Sequence, residues 1–124
     1  RIVMKPEFTT RMKNILDEDD RYDLRAYALV NEALAHAVSN RGKKGHITAK
    51  ELVDALSETA LTRYGNMARL VLEEWGVYKS EDIGEIVFNL VDAGIFSKQN
   101  TDTKVDFIGL LNFTSVFDEA EVKW

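Results

Sequence analysis

Residues 80–96 read Ser80-Glu81-Asp82-Ile83-Gly84-Glu85-Ile86-Val87-Phe88-Asn89-Leu90-Val91-Asp92-Ala93-Gly94-Ile95-Phe96. Ile83, Ile86, Val87, Leu90 and Val91 recur three and four apart, the spacing of an amphipathic helix with one buried stripe. Ser80 is placed to cap it, and Glu81 and Asp82 fall in the first turn, where the helix dipole favours negative charge. Gly94 closes the helix, and Ile95-Phe96 leads into a polar stretch, Ser97 to Lys104, too rich in Asn, Thr and Asp for helix. Val105-Asp106-Phe107 then alternates, as a short strand pairing back onto Ile95-Phe96 would.

Upstream, the same periodicity predicts four more helices. Pro6 precedes a short one over 7–17 that carries Phe8, Met12, Ile15 and Leu16. After the acidic connection Asp17 to Asp20, a second runs about 22–40, with Tyr27, Val30, Leu34, Ala37 and Val38 on its apolar side. Ala26, Ala33 and Ala37 let a neighbouring helix approach closely, while Arg25, Glu32 and His36 fall on the solvated side. Thr48-Ala49-Lys50-Glu51 is a capping box, with Ile47 and Leu52 as its hydrophobic staple, opening a third helix that ends at Gly65. Met67, Leu70, Val71 and Trp75 define a short fourth. Three helices (about 49–64, 67–75 and 81–93) and a two-stranded turn follow one another as in a winged helix, with 81–93 as recognition helix and 97–104 as wing tip. The expected fold is mainly α: about five helices with a small winged-helix-like β-hairpin in the C-terminal half. It forms one domain over residues 1–124, made of an N-terminal helical pair (about 1–47), the winged-helix-like part (about 48–108) and a docking tail (109–124). Arg1 is not an initiator residue, and Met4 is the first that can be one.

Composition limits the chemistry. The 124 residues are 45% apolar and 30% charged, enough to bury a core, and the apolar stretches are far shorter than a membrane span. No cysteine is present, which removes disulfides, thiolate metal sites and cysteine nucleophiles, and the expected location is cytoplasmic. Lys plus Arg number 16 against 21 Asp plus Glu, for a net charge of −5. The deficit is uneven: residues 66–108 carry four basic and eight acidic side chains, whereas residues 1–47 carry nine basic and seven acidic ones.

That distribution argues against a DNA reader. With Ile83, Ile86, Val87 and Leu90 inside, the outer side of 81–93 shows Glu81, Glu85, Asn89 and Asp92, and a helix in the major groove needs donors there. A protein-contact role fits better, with Glu81, Glu85, Phe88, Asn89 and Asp92 as the contact residues; Phe88 is either covered by the N-terminal helices or an interface anchor. The partner is another protein or a second copy of the chain. The alternative is a nucleic-acid-binding regulator using the basic loop residues Arg41, Lys43 and Lys44.

No catalytic or metal constellation emerges. His36 lies four residues after Glu32, the spacing of a surface ion pair, and His46 sits in a loop before a helix cap. Asp17, Asp19 and Asp23 imitate a calcium loop, but position five is Arg21, position six is Tyr22 and position twelve is Ala28. No Gly-rich phosphate loop, nucleophile elbow or HExxH occurs, and no catalytic residue, metal or cofactor is assigned.

Three segments carry a family resemblance: Arg21-Tyr22-Asp23 through Glu32-Ala33-Leu34; Tyr64-Gly65-Asn66-Met67-Ala68-Arg69 into Glu74-Trp75-Gly76; and Glu81-Asp82-Ile83-Gly84-Glu85-Ile86-Val87-Phe88-Asn89-Leu90-Val91 with Ala93-Gly94. Together with Asp106-Phe107, the chain over about 7–118 resembles an uncharacterised bacterial family known mainly from planctomycetes and verrucomicrobia. The resemblance implies one domain and no particular activity. Gly84 inside a helix costs up to about 1 kcal/mol relative to Ala, which points to close packing or a contact site there. The functional expectation is a non-enzymatic protein-interaction or regulatory adaptor.

Overall fold

The computed structural model describes residues 8–41, 47–96, 103–111 and 116–117, the side chains of residues 8–11, 40 and 41 excepted. The helices are α1 (Phe8–Glu18), α2 (Leu24–Arg41), α3 (Ala49–Tyr64), α4 (Ala68–Glu74) and α5 (Ser80–Asp92). The described structure is mainly helical, and no described helix is long and apolar enough to cross a membrane.

α2 and α3 pack along one another, and α5 lies against both as well as against α1. Ala26, Ala33 and Ala37 are buried on α2, as their size requires for close helix approach. Tyr27, Val30 and Leu34 join them, and so does Leu29, whereas Val38, expected inside, is exposed. The capping box opens α3: Thr48 Oγ1 accepts the Glu51 N–H at 3.1 Å, and the Glu51 carboxylate accepts the Thr48 N–H at 2.9 Å. Ile47 and Leu52 are both buried beside it. The expected fourth helix is divided. Gly65–Met67 is a 3₁₀ turn and α4 follows, burying Ala68, Leu72 and the adjoining Trp75 while Met67 and Leu70 face solvent. The turn changes the helical phase, which is why the stripe read through Met67 and Leu70 is displaced.

The C-terminal half departs from the winged-helix expectation. Val105 to Phe107 is not a strand but part of a 3₁₀ turn, Lys104–Phe107. Its start is held by the Asp106 carboxylate, which accepts the Thr103 N–H at 3.0 Å. Val105 is exposed and Phe107 is buried, so the apolar alternation marked a single anchor rather than one face of a strand. Phe96 alone has a β-bridge, and no strand or hairpin is present among the described residues; of the expected wing tip, 97–104, residues 97–102 lie outside them, as does most of the 109–124 tail.

Phe107 seats against α5 at Gly84. A Cβ built on Gly84 would stand 2.9 Å from Phe107 Cγ and 3.0 Å from its Cβ, so the glycine is the recess that admits the ring. Ser80, expected to cap α5, instead lies within its first turn and is fully buried. Its hydroxyl donates to the Phe107 carbonyl at 2.6 Å and accepts the Leu110 N–H at 3.1 Å, fastening both ends of the Phe107–Leu110 turn. Gly84→Ala separates two opposing effects: helix propensity favours Ala by up to about 1 kcal/mol, whereas overpacking costs about 1–3 kcal/mol. The clash involves the root of the Phe107 side chain, which cannot swing away, so the expected outcome in urea denaturation is a net loss of stability. Equal or greater stability would show that Phe107 does not occupy the recess.

Candidate functional site

The most structured polar region is the corner between α1 and α2, where it rests on α5. Its sequence repeats one local device. In Asp19-Asp20-Arg21 and again in Asp23-Leu24-Arg25, an aspartate accepts from the backbone and the guanidinium of the arginine two residues on. Asp23 also receives the Arg25 N–H at 2.8 Å in the position of a helix N-cap, which starts α2. The Asp23 N–H donates to the Trp75 carbonyl at 3.0 Å, tying the corner to the end of α4. Gly76 permits this approach: its φ is 96°, and a Cβ there would collide with the Arg21 carbonyl oxygen.

Side chains from the corner then reach α5. The buried Tyr22 hydroxyl donates to Asp82 Oδ1 at 2.7 Å, while Asp82 Oδ2 accepts the Tyr78 N–H at 2.9 Å. Asn89 Nδ2 donates to both Asp19 Oδ2 and the Tyr27 hydroxyl at 3.0 Å. Glu85 Oε1 lies 3.3 Å from Arg21 Nη2 and 3.0 Å from Lys104 Nζ, so one carboxylate joins the corner and the 3₁₀ turn to α5. The Arg21 guanidinium, helped by Asn89 and the Arg21 N–H, holds the Asp19 carboxyl well below the usual carboxylate range. Burial pulls Glu85 upward, but Lys104 and Arg21 together outweigh it and leave Glu85 below its ordinary value. Burial and the Asp82 carboxylate push the Tyr22 phenol up.

Beside this network, the C-terminal turns of α1 and α5 enclose an open hollow of about 270 Å³ lined by Asn14, Ile15, Glu18, Asp19, Asn89, Asp92 and Ala93. Neither helix carries a basic residue in its last turn, so the carboxylates add to the negative ends of two helix dipoles. Of the residues expected to form an outward face on α5, Asp92 is exposed and borders this hollow. Glu85 and Asn89 are instead engaged within the chain. Glu81 and Phe88 are half-buried, and Phe88 packs against the core. Lys43 and Lys44 lie outside the described residues, as does the side chain of Arg41, so the basic loop has no structural account.

The expected Glu32–His36 pair is replaced by two pairs across α2 and α3: His36 Nε2 to Glu58 Oε1 at 3.0 Å, and Arg63 to Glu32 at 2.8 Å. Adjacent side chains three or four apart on a helix can meet, but here both find better partners on the neighbouring helix. No group of three metal-ligating side chains is present among the described residues, and Asp19 and Asp23 are committed to arginines rather than to a calcium loop. The doubled Asp-x-Arg spacing was the sequence signal of this corner. No family model, no curated protein and no solved structure matches the chain.

The pH dependence follows from three depressed carboxyls, Asp19, Glu85 and Asp23, the last held down by Arg25. A carboxyl whose folded value lies below its unfolded one stabilises the protein fully above the unfolded value and loses that contribution as pH falls. The ordinary values are 3.8 for Asp19 and Asp23 and 4.5 for Glu85, so the loss begins near 4.5 and continues below 3.8. The melting temperature should therefore fall as pH drops from about 6 to about 3. Arg21→Gln removes a cation shared by Asp19 and Glu85 and should flatten that decline; a slope identical to the parent's would mean the corner does not set it.

Proposed function

We propose that this chain is a non-enzymatic protein-interaction or adaptor domain whose contact face is the acidic end formed by α1 and α5, and that its partner presents a Lys/Arg-rich segment. The observation that carries this reading is the hollow at the paired helix C-termini. Glu18 and Asp92 border it without an ion-pair partner, in contrast to Asp19, which Arg21 neutralises. Two dipole ends and two unpaired carboxylates around a recess favour a cationic side chain, and they repel nucleic acid for the same reason. A hollow of about 270 Å³ has room for the end of one long side chain with its neighbours lying on the rim. The expectation of an interaction surface on α5 is thereby moved toward the helix end, with Asp92 retained and Glu85 and Asn89 assigned to hold the surface in place.

Fluorescence anisotropy with labelled peptides tests this directly. A Lys/Arg-rich peptide should bind, more weakly as salt increases, because exposed charges are screened over about 10 Å at 0.1 M salt. An acidic peptide of equal length should not bind. Glu18→Gln combined with Asp92→Asn should weaken the basic peptide several-fold without altering the melting temperature, since both side chains are exposed. Equal affinity for both peptides, or salt-sensitive micromolar binding to duplex DNA or RNA instead, would overturn the reading.

A further inference from the structure

The Lys104–Phe107 turn lies across α5 and against α3, and from Thr103 to Gly109 every residue except Phe107 is exposed. The segment carries its own backbone bonds. The Asp106 N–H donates to the Thr103 carbonyl and the Ile108 N–H to the Val105 carbonyl, both at 3.1 Å, and the Thr103–Asp106 capping box closes the start. Ile108, at φ −71° and ψ 128°, is followed by Gly109 at φ 70°, as in a type II turn. In such a turn the Phe107 carbonyl would accept the Leu110 N–H directly. Here Ser80 Oγ stands between the two groups, at 2.6 and 3.1 Å.

The polar contacts of this segment with α5 are therefore replaceable. Once Ser80 is withdrawn, the Phe107 carbonyl and the Leu110 N–H can bond each other, and the Ser80 hydroxyl meets water. Glu85 Oε1, which holds Lys104 Nζ at 3.0 Å, keeps Arg21 Nη2 at 3.3 Å. The Phe107 ring has no such substitute: it is 3% exposed and fills the recess left by the missing Cβ of Gly84. An anchor recess, a hydroxyl that reads a carbonyl and an N–H three residues apart, and a carboxylate that takes an ammonium are the parts of a short-peptide site.

We propose that the recess at Gly84 is a docking site for a Lys-x-x-aromatic turn, that the chain's own Lys104–Leu110 segment fills it as an internal competitor, and that a partner segment of the same chemistry displaces that segment. The internal occupant defines the partner: an aromatic ring for the recess, a lysine three residues before it for Glu85, and a type II turn after it for Ser80. A tethered segment competes at an effective concentration in the millimolar range, so a partner must bind the vacated recess more tightly than that. Glu18 and Asp92 take no part, and the proposal does not depend on the basic-partner reading of the α1–α5 end.

The test is complementation in trans. A labelled peptide of residues 103–111 with blocked ends is titrated against the full chain carrying Phe107→Ala, with fluorescence anisotropy as the readout. Saturable binding is expected, and none when the peptide itself carries Phe107→Ala. A chain with both Gly84→Ala and Phe107→Ala has room for the added methyl because the ring is gone, but it cannot admit the peptide's ring, so its affinity should fall by about tenfold or more. The parent chain, its recess filled, should also bind the peptide about tenfold more weakly than Phe107→Ala does. Equal binding by the two Phe107→Ala chains, or none by either, overturns the proposal. Should Phe107→Ala fail to fold, amide exchange in the parent chain decides: the Leu110 N–H, freed by displacement, should exchange at least about tenfold faster than the amides in the middle of α5. Exchange of Leu110 only together with those amides overturns it.

Discussion

The seating of the α1–α2 corner on α5 is the constraint from which the rest of this structure follows. The corner must turn the chain through a few residues, satisfy their backbone groups and still present Tyr22 and Tyr27 to the core. It does so with two Asp-x-Arg units, each of which closes on itself, and with Gly76, whose missing Cβ lets the Arg21 carbonyl come in. Only with this geometry set can Tyr22 reach Asp82 and can Asn89 reach Asp19 and Tyr27. Remove the close approach at Gly76, and α5 loses the polar contacts that hold it against the first two helices.

The same seating explains why α5 is not the free acidic face that its sequence suggests. Three of its polar positions, Asp82, Glu85 and Asn89, are spent on internal bonds to the corner and to the Lys104–Phe107 turn. On the opposite edge Ser80 and Gly84 receive that turn, the first through its hydroxyl and the second by being small. α5 is thus engaged within the chain on both flanks. Its free portion is the last turn, where Asp92 meets the end of α1.

Much of the fold was legible because its signals are local. The capping box of Thr48 and Glu51, the stripe of Ile83, Ile86, Val87 and Leu90, and the small strip of Ala26 and Ala33 all read correctly from spacing. Gly84 also announced itself, since a glycine tolerated in mid-helix needs a packing reason, and Phe107 is that reason. What failed depended on contacts between distant residues. Ser80 looked like a cap because the sequence around it is that of a helix start, but its hydroxyl is claimed by a turn 27 residues away. Val105-Asp106-Phe107 looked like a strand because alternation over three residues cannot distinguish a sheet face from one anchored ring. Glu32 and His36 looked paired because helical spacing permits it, but Arg63 and Glu58 lie closer on the next helix.

The distribution of charge bears on the same end of the fold. Pairs such as Asp19–Arg21, Asp23–Arg25, Glu32–Arg63, Lys50–Asp54 and Arg69–Glu73 cancel locally, and the well-exposed ones, such as Lys50–Asp54, add little stability. Their effect is on the field, which each pair weakens locally. The net charge of −5 is therefore not a uniform property of the molecule. Asp17, Glu18, Asp20 and Asp92 are among the described acids without such a partner, and they stand at or just after the C-terminal ends of α1 and α5, where the helix dipoles carry the same sign. Under the proposed reading, uncompensated negative charge at the α1–α5 end would draw a cationic partner to that end, because like-signed charges and helix dipoles add there.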